Sequence, residues 1–272
     1  MKADADAMIL RKTDLGWRYE MEKVDKPIRL IFAGDLCPDA RNQELSSDHY
    51  KSFYQPFHDI LHDKDYSVVN LECPLTNHPA PLAKVGPVLQ AERRMIDLIK
   101  TGGFDAVCLA NNHIMDQGAG GLEDTLTVCK ESMISTVGAE SDYNRARQIL
   151  VKNINDVRIA FYNVCEQEFS ISGLDRPGAN PFDPVDCFHD IRKALQEVDL
   201  VIVIYHGGIE QANLPGPGLV KVFHYFAELG AAAVIGHHSH YPGGFELYRG
   251  VPLFYSLGNF ILDRQDQKRD WY

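Results

Sequence analysis

The stretch DLVIVIYHGGIEQANLPGPGLVKVFHYFAELGAAAVIGHHSH, residues 199–240, decides the fold class. Its first run, DLVIVIY (199–205), is short, apolar and rich in β-branched residues, as a strand covered on both faces is. GLVKVFHYFAELG (218–230) then sets Leu219, Val222, Phe223, Phe226 and Leu229 at helical spacing and closes on glycine. AAAVIG (231–236) returns to a buried-strand pattern. Strand, helix and strand in this order form one unit of an α/β fold with a largely parallel sheet. Both strands also run into histidine: His206 after the first, and His237, His238 and His240 after the second.

The same alternation extends in both directions. Strands are expected at IRLIFAG (28–34), YSVVNL (66–71), DAVCLA (105–110), VRIAFYNV (157–164) and VPLFYSL (251–257). Helices are expected at AERRMIDLIKTGG (91–103) and GGLEDTLTVCKES (120–132). Residues 1–27 read as a polar lead-in closed by Pro27, and 28–272 as a single domain. SGLDRPGANPFDP (172–184) reads as a loop within it, because the alternation resumes unchanged afterwards.

Composition narrows the function classes. Among the 272 residues, 27 Lys and Arg face 38 Asp and Glu, a net charge of −11. Binding to a nucleic-acid backbone needs a basic footprint, so nucleic acid is not expected as a partner. A small phosphate ester stays open, since a metal can supply local positive charge. The cysteines, Cys37, Cys73, Cys108, Cys129, Cys165 and Cys187, are scattered and form no C-x-x-C pair. Four of them lie inside or beside apolar runs, as buried free thiols do, no disulfide is expected, and a reducing compartment is the simpler reading. No apolar run reaches the length of a membrane span, and the N-terminus lacks a signal-peptide core. The expectation is a cytoplasmic protein with no membrane segment in this chain.

Five strand candidates end in residues able to hold a metal. IRLIFAG runs into Asp35, YSVVNL into Glu72, DAVCLA into Asn111, Asn112 and His113, DLVIVIY into His206, and AAAVIG into the histidine cluster. In a parallel sheet the carboxyl ends of the strands share one edge, and ligands bind outside it. Convergence on one site is therefore expected. Carboxylates that bridge two cations, with imidazoles completing the coordination, suit a hydrolytic centre whose ions lie about 3.5–4 Å apart. Mixed oxygen and nitrogen donors favour manganese, iron or zinc over calcium.

Taken singly, these signals have plainer readings: Gly34-Asp35 as a turn or helix cap, Glu72 as a solvated loop carboxylate, His206 as a structural histidine. Three histidines within G-H-H-S-H (236–240) serve no packing purpose. The other histidines, His49, His58, His62, His78, His189 and His224, read as background without a carboxylate partner.

Taken in order, G-D (34–35), N-L-E-x-P (70–74), A-N-N-H-x-x-D-x-G (110–118), H-G-G-x-E (206–210), G-H-H-x-H (236–240) and Y-S-L-G-N-F (255–260) resemble the bacterial capsule-synthesis CapA family. That family is also named for poly-γ-glutamate biosynthesis and is related to the calcineurin-like metallophosphoesterases. The resemblance covers about residues 28–263. It implies a metallophosphoesterase-like four-layer α/β/β/α sandwich. It also implies that Asp35, Glu72, Asn112, His206, His238 and His240 hold two divalent metal ions, and that His113 stands in the place of a general acid.

Asp116 is expected to act with His113 in catalysis, Asp116 and Glu210 to orient histidines, and Glu210 and His237 to face substrate. Lys84, in P-L-A-K-V-G-P, is either an anion-binding residue for the substrate or a solvated lysine. Two departures from the phosphoesterase pattern stand out: Cys37 where a histidine is usual, and Glu72 in place of an aspartate. One metal site is therefore expected to be weaker or to have a changed ligand set. Related chains continue with further strands beyond Y-S-L-G-N-F, so an ending at Trp271-Tyr272 is expected to leave a sheet edge incomplete.

The expected activity is metal-dependent hydrolysis of a phosphate ester or related anionic bond in a small or polymeric anionic substrate. Two alternatives stay open. One is a component of a polymer-synthesis assembly whose metal is structural. The other is amide hydrolysis of poly-γ-glutamate.

Overall fold

Parity along the strands sorts the side chains into layers. On the strand Leu200–His206, Val201, Val203 and Tyr205 turn toward helices, while Ile202 and Ile204 turn toward a second sheet. A run buried on both faces needs apolar residues at every position, which is why it reads as continuous hydrophobicity.

The computed structural model describes residues 5–13, 16–24, 27–38, 47–166 and 168–262. At the start, β1 (Ala5–Thr13) and β2 (Gly16–Val24) pair as an antiparallel ladder, in the stretch read from sequence as a polar lead-in. One main sheet has the order β15-β3-β4-β5-β6 and is parallel throughout. Its strands are β3 (Leu30–Cys37), β4 (Tyr66–Leu71), β5 (Ala106–Cys108), β6 (Ser135–Val137) and β15 (Asn259–Leu262). The other has the order β13-β14-β12-β11-β9-β8. It holds β8 (Leu150–Ile154), β9 (Val157–Cys165), β11 (Leu200–His206), β12 (Ala233–His237), β13 (Phe245–Tyr248) and β14 (Val251–Phe254). Its interior pairs are parallel and its two outermost pairs antiparallel. A short pair, β7 (Ala139–Glu140) and β10 (Gly178–Ala179), stands apart, with β10 inside the stretch read as a loop.

Three apolar clusters define four layers. Val68, Cys108, Phe161, Ile202, Ile204 and Ile235 fill the seam between the two sheets. Leu36, Val69, Leu71 and Val107 face the helices α1 (Ser47–Tyr54), α3 (Ile96–Thr101) and α4 (Gly118–Glu131). Tyr162, Val203 and Tyr205 face α6 (Pro184–Ala194) and α7 (Pro217–Leu229). The short α2 (His58–His62) and α5 (Tyr143–Ala146) complete the set. The result is an α/β/β/α sandwich, as expected. Among the described residues no helix is long and apolar enough to cross a membrane. The tail ending at Trp271-Tyr272 lies outside the described residues.

The helix expected over 91–103 starts late. Ala91 accepts from Thr76 N at 2.9 Å and donates to Pro74 O at 3.0 Å, so it is held in a parallel bridge instead. A 3-10 turn over Arg93–Met95 then leads into α3.

A bulge in β3 sets the site. The pairing with β4 runs Ala33↔Val69 and then Asp35↔Asn70, which leaves Gly34 as an extra residue. Parity is thereby reset: Phe32 faces the seam, Ala33 the helices, and Asp35 returns to the seam beside Asn70. A β-carbon on Gly34 would sit 2.0 Å from Gly258 O, the carbonyl that accepts from Asp35 N at 2.9 Å.

Gly34→Ala is therefore expected to destabilise by about 1–3 kcal/mol or more, because backbone rather than a flexible side chain must yield. Gly120→Ala, exposed in α4 with nothing within 4 Å of the added carbon, should instead stabilise by about 0.5–1 kcal/mol. Urea unfolding midpoints measure both, and equal midpoints for the two variants would refute the argument.

Candidate metal centre

The carboxyl ends of β3, β4, β11 and β12 meet in the seam, and period-two alternation decides what they bring. Asn70, His206 and His237 share parity with the seam-facing Val68, Ile204 and Ile235. The turns that follow add Glu72, Asn112, His238 and His240.

Two ligand triads result. Glu72, His206 and His238 offer donor atoms all within 4.8 Å of one another, and so do Asp35, Glu72 and His240. Glu72 belongs to both. Asn112 Oδ1 lies 3.0 Å from His206 Nε2, which brings the last expected ligand to the same spot. Two backbone facts aim the cluster: His238 has φ +94 and His240 φ +61. Left-handed conformations are uncommon for non-glycine residues and gather at functional sites.

The electrostatics suit cation binding. Asp35 and Glu72 are fully buried. Burial opposes the charge on Asp35, yet hydrogen bonds from His237 and His240 and the nearby imidazoles hold its carboxyl well below the usual carboxylate range. Burial, and after it the adjacent His238, keep the His206 ring far less basic than an ordinary histidine, against the pull of Asp35. A neutral imidazole presents the lone pair that a metal takes. Two carboxylates, one amide oxygen and three imidazoles gathered in one largely buried cluster thus fit divalent transition metals by donor type.

Around the triads lies a supporting set. Asn70 Nδ2 donates to Asp35 Oδ1 at 2.8 Å, and His237 Nδ1 lies 3.0 Å from the same oxygen. His237, expected to face substrate, is thus buried against Asp35. Asn259 Oδ1 is 2.9 Å from His240 Nδ1. Neither Asn70 nor Asn259 was singled out from the sequence, although both lie inside quoted motifs. Asn111 Nδ2 donates to Leu71 O at 2.8 Å, and Asn111 Oδ1 accepts from His113 N at 3.1 Å.

His113 Nδ1 lies 2.6 Å from Asp116 Oδ2, so Asp116 orients this ring. Lys84 is ion-paired with Asp116, its side chain only 2% exposed, which excludes the solvated reading. Glu210 is exposed after β11 and makes no hydrogen bond or ion pair with a site histidine among the described residues.

Two further expectations meet the structure. The six cysteines are all buried and none is in a disulfide. Cys37 packs in the helix-side apolar cluster and belongs to neither triad, and burial pushes the Cys129 thiol up to about 12. The reading of His224 and His58 as lacking a carboxylate partner is corrected: His224 Nε2 lies 3.1 Å from both oxygens of Glu246, contributed by β13 some way along the chain, and His58 Nδ1 lies 3.2 Å from Asp59 Oδ1.

The shared position of Glu72 has a measurable consequence. Glu72→Ala should abolish tight binding of manganese or zinc at both positions. His238→Ala and His240→Ala, each serving one triad, should leave roughly one equivalent. Elemental analysis after dialysis reads this, and a Glu72→Ala protein that keeps its full metal content would disprove the sharing.

Comparisons with known proteins bear on the family and the fold. The family model for the bacterial capsule synthesis protein PGA_cap matches residues 29–264. The chain is 33% identical over 182 residues to the capsule biosynthesis protein CapA of Bacillus anthracis, covering 65% of this chain and 44% of that protein. It is 31% identical over 248 residues to the PGA biosynthesis protein CapA of Bacillus subtilis (strain 168), covering 88% and 64%. It therefore spans less than two thirds of either relative. The crystal structure of a 5'-nucleotidase from Candida albicans SC5314 superposes with a TM-score of 0.51 at 14% identity, over 91% of this chain and 47% of that one. That likeness places the fold among metallophosphoesterase-like sandwiches. The chain belongs to the bacterial capsule synthesis PGA_cap family.

Proposed function

We propose that the chain is a metal-dependent hydrolase of the phosphoesterase type, acting on a phosphate ester or related anionic bond of a small or polymeric substrate in capsule or poly-γ-glutamate metabolism. The observation that carries this reading is the membership of Glu72 in both triads. A carboxylate common to two ligand sets is the arrangement that holds two cations a few ångströms apart. Manganese, iron and zinc match the mixed donors. The chemistry such ions supply when bound is Lewis-acid polarisation of the scissile group and activation of water.

The chain's own residues do the rest. Glu72 offsets positive charge at both positions, and Asp35 does so at one. Asn70 and His237 fix Asp35, and Asn259 fixes His240. His113 turns Nδ1 toward Asp116, which leaves Nε2 to pass a proton to the leaving oxygen. Burial of Asp35, Glu72, His113 and His206 keeps bulk water away from them, which strengthens the charge interactions among them.

The test is hydrolysis of p-nitrophenyl phosphate and phenyl phosphate by protein stripped with a chelator and reloaded with manganese, zinc or iron. Activity should vanish on stripping and return on reloading. His113→Ala should keep its metal and slow turnover by about 10²–10⁴. The loss should be smaller for the nitrophenyl ester, whose leaving group needs little protonation. Metal binding without turnover of either ester would favour a structural metal in a synthesis assembly. Cleavage of a γ-glutamyl anilide instead would move the reading to amide hydrolysis.

A further inference from the structure

Lys84 sits in the loop between β4 and α3, yet its ammonium lies deep beside the site. Its side chain and that of Asp116 are 2% and 1% exposed, and the two form an ion pair through Asp116 Oδ1. Asp116 Oδ2 meets His113 Nδ1 at 2.6 Å and accepts from Leu89 N at 2.7 Å. Lys84 Nζ also lies 3.2 Å from His113 Nδ1, donates to Asn112 O at 3.4 Å, and has the Phe169 ring centroid at 5.8 Å. The loop carrying it is stitched to the same turn. Leu82 N donates to Asp116 O at 2.8 Å, Ala80 N to Gln117 Oε1 at 2.8 Å, and Gln117 Nε2 to Leu89 O at 3.1 Å.

We propose that Lys84 is a positioning residue that acts on His113 through Asp116, rather than a receptor for the substrate's charge. Two acceptors already take the ammonium, a carboxylate oxygen and a carbonyl, and the edge of the imidazole closes a third side. With Lys84 on Oδ1, the carboxylate cannot rotate, and Oδ2 stays on His113 Nδ1. The ring is then held with Nε2 as its working atom. Outer partners that orient a reacting histidine in this way contribute about 10–100-fold. The role of His113 rests on the hydrolase reading above, whereas the lock itself does not.

The experiment uses metal-loaded protein with p-nitrophenyl and phenyl phosphate. Lys84→Met should lower kcat by roughly 10–100-fold with little change in KM or metal content. The loss should be larger for phenyl phosphate, and in a His113→Ala background Lys84→Met should add nothing. An anion receptor would instead raise KM and keep its full effect without His113, and that result overturns the proposal. Removing one partner of a buried ion pair can prevent folding. The neutral pair Lys84→Met with Asp116→Asn covers that case, and it should be no slower than Asp116→Asn alone. Hydrogen exchange at the Leu82 and Leu89 amides gives a readout independent of turnover. Lys84→Met should speed exchange at both while β11 amides stay protected. Unchanged exchange overturns the lock even in a protein that hydrolyses neither ester, so failure of the hydrolase reading and failure of the lock are separable.

Discussion

Two carboxylates, Asp35 and Glu72, are fully buried where the two sheets meet, and a buried negative charge must be compensated. Much of the surrounding structure answers to that constraint. Asp35 receives an amide hydrogen from Asn70 and the His238 backbone N–H, and it meets the rings of His237 and His240. Glu72 has the His206 and His240 rings within 4 Å. The His206 ring, which burial makes far less basic than an ordinary histidine, compensates such charges only in part. The remainder is the electrostatic opening that a divalent cation would fill. The same pair of buried acids is what suits the cluster to a cation.

Backbone strain is the other side of that arrangement. Gly34 is displaced as a bulge so that Asp35 reaches the seam, and Gly258 meets it across the strand pair with φ +70. His238 and His240 take left-handed conformations. Such residues persist only where their surroundings over-determine them. Here the surroundings are the apolar clusters on both sides of each sheet, which fix the strand ends and leave the short turns to absorb the misfit. Rigid strands and strained turns divide the work: the first set where the ligands stand, the second set how they point.

What could be read from the sequence follows from the same division. The seven expected strands were legible because burial on both faces demands unbroken apolar runs. β8 was not, since its residues alternate between exposed and covered, and β6 has only three residues. α6 buries only Cys187, Ile191 and Ala194, too sparse a stripe to read after a proline-rich approach. The residues that gather in the candidate cluster could be picked out because a polar residue at the end of an apolar run stands out. Asn70 was missed because it lies inside a strand, where a single polar residue looks like an edge position, and Asn259 because it opens β15, a strand the sequence pattern did not show. The burial of Lys84 depends on how a loop folds over a distant turn, and no local pattern encodes that. The partner of His224 comes from a separate hairpin, so the chain showed only an isolated ring.

Adjacent residues in two places serve different tiers of the site, and backbone geometry explains why. In a strand, neighbours point to opposite faces, so His237 and His238 could not both reach Asp35 if β12 continued straight. The strand ends at His237, and the φ of +94 at His238 folds the chain back. His237 then meets Asp35 through its ring while His238 donates its backbone N–H to the same carboxylate and sends its ring to His206. Asn112 and His113 divide in the same way across the turn after β5: Asn112 meets His206, and His113 turns to Asp116. One residue of each pair stands among the candidate ligands and the other holds or serves the group beside them. A tight turn makes this possible within two residues, so a mobile loop in either place would lose both tiers together.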